Sequence, residues 1–170
     1  DSRPVVRAVI EQLTQDYPKL GLFRAFTNGP IDTDDEFIDL IKLVGREEDL
    51  DIAWGTTRQA YVRNEEAAMT DLVKRYTDYA QNFDAVLILG LLDGDPVNPG
   101  MLARTGRAAA NLATSVFVVV SGALRTPEQV VNLSHLVSRE IQGENAPISA
   151  VAVTSAEHRV EQEKSPEYAH

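Results

Sequence analysis

Residues 84–96 read DAVLILGLLDGDP, an apolar run that closes on Gly90 and then turns into two aspartates, Asp93 and Asp95. The run is nearly continuous rather than alternating. Strands of that kind are covered on both faces and belong to parallel sheets clothed by helices. What flanks the run supports this. Upstream, EEAAMTDLVKRYTDYAQ (65–81) sets Ala68, Leu72, Tyr76 and Tyr79 at helical spacing, and downstream an alanine-rich helix is predicted over 101–113. Helix, strand, helix is the repeating unit of an α/β fold.

The rest of the chain extends the alternation. Apolar positions 5, 6, 9, 10 and 13 predict a first helix, with Pro4 in its opening turn and YPKLG (17–21) at its end. LGLFRAF (20–26) reads as a short buried strand that runs into the turn TNGP (27–30). A second helix is predicted over 34–44, capped by Asp32 or Thr33. Residues 45–64 keep no period and are expected to be a surface connection with one helical turn. SVFVVVSG (115–122) and ISAVAVT (148–154) complete four strands, separated by the helix TPEQVVNLSHLVSREI (126–141). Parallel strands joined by right-handed crossovers follow, as one domain over 1–154 with a polar linker or tail over 155–170. No strand precedes the first helix, so the chain reads as a piece of something longer.

Composition narrows the function. With 26 acidic and 16 basic side chains the formal charge of the 170 residues is -10, which disfavours a nucleic-acid surface. Cysteine is absent, so thiolate chemistry and Cys-ligated zinc drop out, and the three histidines are scattered. No stretch approaches the ~18 apolar residues of a membrane span. Nucleic-acid and membrane partners are therefore not expected.

Ligands of open α/β sheets sit beyond the carboxyl ends of the strands. That rule selects Thr27, Asp93, Asp95, Arg125 and Thr154, together with Arg24 near the end of its strand. Asp93 and Asp95 are either a solvated DGDP turn or a cation or phosphate-linked pair. Arg24 either meets a carboxylate or faces the crevice. Arg125 precedes a helix whose N-terminus suits an anion, or is a surface arginine near Glu128. Trp54 and the alanine-rich RTGRAAANLA (104–113) are candidate contacts for a second copy.

The stretches LGLFRAFT (20–27), YTDYAQNFDAVLILG (76–90), GRAAANLATSVFVVVSGALRTPEQV (106–130) and ISAVAVTSA (148–156) carry a resemblance. In order and spacing they resemble the N-terminal domain of long bacterial phosphate acetyltransferases, itself similar to dethiobiotin synthetase and other P-loop proteins. The resemblance implies a mostly parallel, Rossmann-like sheet of the P-loop NTPase type. It departs at the nucleotide site. Asp1, Ser2 and Arg3 stand where relatives carry Gly, Lys and Ser/Thr, so the P-loop and first strand are degenerate or missing. Leu89 stands where a magnesium-linked Glu is common, and Thr154 and Ser155 where Asn and a basic residue follow the last strand.

The implied function is a non-catalytic regulatory or assembly domain of a cytoplasmic phosphate acetyltransferase. Its partners would be the C-terminal catalytic domain of the same protein and further copies of itself, with no cofactor. The alternative is a magnesium-nucleotide site of the dethiobiotin synthetase type, with Asp93 or Asp95 as substitute ligands.

Overall fold

The computed structural model describes residues 3–90 and 99–155. Strand β1 (Leu20–Thr27) lies between β2 (Trp54–Thr57) and β3 (Ala85–Leu89), parallel to both. Strands β4 (Val116–Ser121) and β5 (Ile148–Thr154) form a second, parallel pair. Helices α1 (Arg3–Asp16), α2 (Asp35–Leu43), α3 (Arg58–Arg63), α4 (Glu65–Ala80), α5 (Pro99–Asn111) and α6 (Pro127–Gly143) surround them. This is an α/β fold with parallel strands in a generic Rossmann-like arrangement. No helix among the described residues is long and apolar enough to cross a membrane.

Local chemistry sets the helix starts. Asn64 caps α4 by accepting from the Ala67 N–H at 3.1 Å. At α6 the Thr126 hydroxyl accepts from the Gln129 N–H while the Gln129 side chain accepts from the Thr126 N–H, a reciprocal box with Pro127 behind it. Helix α2 is capped by Asp34, whose Oδ1 accepts from the Phe37 N–H at 3.0 Å, and not by Asp32 or Thr33, which lie in a preceding 3₁₀ turn.

Two cores result. All of β1 is buried, and Leu22, Phe23 and Phe26 pack with Phe37 and Ile41 of α2, Leu72 and Tyr79 of α4, and Ala108 and Leu112 of α5. The second core joins Ala109 of α5 to Val118 and Val120 of β4 and to Val137 and Ile141 of α6. Helix α5 contributes to both.

Three further expectations are corrected. Residues 45–64 are not merely a connection: they contain β2 and α3. β2 is held by Gly55, where a methyl group would stand 2.1 Å from Leu72 Cδ1 and 2.7 Å from the Ala25 carbonyl oxygen. Only a residue without a side chain lets α4 lie so close to the sheet. The strands also form two sheets, of three and two strands, rather than one. Finally, β3 is not covered on both faces, for Ala85 to Ile88 are only half-buried. Their open side borders a cavity of about 920 Å³ that β4 borders too.

Candidate functional site

The carboxyl ends of the strands do collect polar residues, but most of them turn inward. Arg24 is buried, and its Nε donates to Asp34 Oδ2 at 2.9 Å while Nη1 donates to the Gly90 carbonyl at 2.7 Å. Of the two readings of this arginine, the carboxylate pairing is what the fold builds. Asp34 serves twice, with one oxygen on Arg24 and the other on the α2 N-terminus. β1, the start of α2 and the end of β3 thus meet at one guanidinium.

Thr27 closes β1 and is only 1% exposed, and its hydroxyl has no hydrogen-bond partner among the described residues. The Thr154 hydroxyl at the end of β5 is likewise buried and has no partner among the described residues. The Thr154 carbonyl accepts from the Gly122 N–H at 2.6 Å, which ties the ends of β4 and β5 together. Arg125 is exposed, its Nη1 donating to the Ser121 carbonyl at 2.9 Å. Arg125, Thr154 and Gly90 all border the 920 Å³ cavity, together with Arg3 and Val6 of α1. Asp93 and Asp95 lie outside the described residues. Leu89, the last residue of β3, is buried in the first core.

One residue was missed from the sequence. Arg104 of α5 stacks its guanidinium over Tyr61 at 4.4 Å and Phe26 at 6.0 Å, with Nε and Nη1 buried and without a hydrogen-bond partner among the described residues. Stacking on aromatic faces offsets part of the desolvation of such a cation. Nothing in "MLARTGR" signals it, because both rings come from other segments.

The contact candidates are also engaged within the chain. Trp54 donates through Nε1 to the Asp51 carbonyl at 3.1 Å, and Arg75 lies 4.2 Å over its ring. In the alanine-rich run, a methyl group on Gly106 would meet the Ile141 carbonyl oxygen at 2.8 Å, and Ala108 and Ala109 are buried. Gly106 and Ala109 let α6 approach α5, while Ala108 belongs to the first core.

Charge effects concentrate away from the cavity. Arg107 is bonded bidentately to Glu144 at 2.9 and 3.2 Å and also pairs with Glu65. Its hydrogen bonds, then its charge, hold the Glu144 carboxyl below the usual carboxylate range. Burial raises the Tyr76 and Tyr79 phenols, and burial followed by the neighbouring Glu48 charge raises Asp49. None of these groups borders the cavity. Among the described residues no group of three or more His, Asp or Glu side chains is arranged to hold a metal ion. No family model and no solved structure matches the chain.

Proposed function

We propose that the chain is a non-catalytic regulatory or assembly domain of a phosphate acetyltransferase. The whole enzyme would convert acetyl-CoA and phosphate into acetyl phosphate and CoA on a C-terminal domain of the same polypeptide, in the cytoplasm and as a homo-oligomer. The observation that supports this reading is the engagement of Arg24. A buried cation at a strand end is the group best suited to draw an anion, and here it is held by Asp34 and by a backbone carbonyl. Leu89 adds to this, since an alkyl side chain packed in the core offers no oxygen to a hard cation.

Purified 1–170 is expected to form no acetyl phosphate from acetyl-CoA and phosphate. The longer enzyme is expected to change its response to small-molecule effectors when 1–170 is deleted. Turnover by 1–170 alone would refute the non-catalytic reading.

The nucleotide alternative draws on a different observation, the hydroxyls of Thr27 and Thr154 at strand ends, which have no partner among the described residues. Calorimetric titration with ATP, GTP and ADP plus magnesium tests it. Saturable micromolar binding that Thr154→Val weakens at least about tenfold would favour this alternative over a purely regulatory domain.

A further inference from the structure

Among the described residues, the two sheets face each other across the cavity with edges that no further strand pairs. Alternation along a strand decides which groups look into it. The Arg24 N–H donates to the Ala53 carbonyl, so the even positions of β1 face β2 and the odd ones face β3; with Gly21 opposite Val86 and Phe23 opposite Ile88, the odd positions of β3 pair with β1, and Val86 and Ile88 face the cavity. The N–H groups of Val116 and Gly122 donate to Pro147 and Thr154, so the even positions of β4 face β5 and Phe117, Val119 and Ser121 face the cavity. Both strands border it along most of their length, Val86 to Leu89 and Val116 to Ser121. Neither AVLIL nor VFVVVS contains a charge or a proline, the usual devices that keep an edge from pairing. Both read as interior strands, yet Ala85 to Ile88 are half-buried and Phe117 is 40% exposed.

Size fits one occupant. A strand of five or six residues is ~17–20 Å long, lies about 4.8 Å from its neighbours and has about 10 Å between layers, or roughly 800–960 Å³. The cavity measures about 920 Å³. Direction and source follow from α1. Its first turn, at Arg3 and Val6, borders the same cavity as Gly90, which follows β3, and Ser121, which closes β4. A strand that lay between β3 and β4 and pointed the same way would end beside the start of α1, within the few residues of an ordinary βα loop.

We propose that the cavity is an acceptor slot for one parallel β-strand, supplied by polypeptide immediately ahead of α1. The strand would join the two sheets into one of six strands, in the order β2-β1-β3-new-β4-β5. Backbone pairing would give affinity and alternate apolar side chains the register. This inference is independent of the acetyltransferase reading.

The test fuses a valine- and isoleucine-rich strand of about six residues, with a loop of about four, ahead of Asp1 of the full chain. Amide-resolved hydrogen exchange then compares the fusion with 1–170. The amides of Val86, Ile88, Phe117, Val119 and Ser121 are expected to slow by about tenfold or more, while Leu87, Val118 and Val120, already paired, change less. A fusion with proline at the middle of the added strand is expected to lose the effect, since proline removes a donor from a central strand. Three results would overturn the proposal: unchanged exchange at the slot-facing amides, protection that survives the proline, or slow exchange in unfused 1–170 that vanishes on dilution. The last would identify a second copy as the occupant.

Discussion

Arg24 fixes three segments at one point, and removing it leaves Asp34 a largely buried anion. Arg24→Ala is expected to lower stability by about 3 kcal/mol, the lower end for breaking a buried ion pair, because Asp34 keeps some contact with water. Asp34→Asn keeps the cap but strands the cation, so its cost should fall between that value and the ~1 kcal/mol of a lost cap. Urea unfolding measures both. Thr27 makes the opposite prediction. Its hydroxyl is buried without a partner among the described residues, so Thr27→Val removes a desolvated polar group at nearly constant shape. The urea midpoint should rise by an amount worth up to about 1 kcal/mol with an unchanged slope. Arg24 also marks how far the sequence reaches at this scale. An arginine ending a buried strand must be paired or in a crevice, and the sequence offers Asp32, Asp34 and Asp35 as partners without ranking them. The hydrogen bond from Arg24 ranks them, and with that bond goes the cap.

Among the elements, close approach is decided by glycines. Gly55→Ala drives a methyl group into both Leu72 and the β1 backbone, so a loss of about 3 kcal/mol or more is expected, with β2 the first element to exchange its amides. Gly106→Ala presses on the α6 backbone and should cost about 1–3 kcal/mol. Gly143, in the last turn of α6, has open space where a side chain would go, and Gly143→Ala should stabilise by about 0.5–1 kcal/mol. Thermal unfolding of the three variants checks the order. The long elements were legible from helical spacing in α1, α4 and α6 and from apolar runs in β1 and β5, all of which lie within about two residues of their predicted positions. β2 was not legible, because four residues are too few for a pattern and its burial is supplied by α4 from outside the segment. The break between the sheets was hidden for a related reason. VFVVVS carries the preference for a neighbour but not the neighbour's identity.

For the whole molecule, acid should weaken the fold through Glu144. Its folded carboxyl titrates below the unfolded one, so the contribution is complete above about pH 4.5 and is lost as pH falls through the folded value. Arg107 stays charged throughout. The pair is half-exposed, so the loss should remain under about 1 kcal/mol. The difference in urea midpoint between the natural chain and Glu144→Gln should therefore shrink from pH 7 to pH 3. A constant difference would show that the pair contributes nothing.

Ala108 and Ala109 are adjacent in sequence yet look into different cores, about 100° apart around α5. A helix meshed on two sides behaves like a gear between two racks. Turning it to admit a larger residue at 108 withdraws 109 from its own contacts, and the reverse holds as well. Substitutions in one core are then judged by the other, so neither can drift in volume alone. Over many generations such a chain would change its two halves in step, and the small residues of α5 would be where that shared history is written.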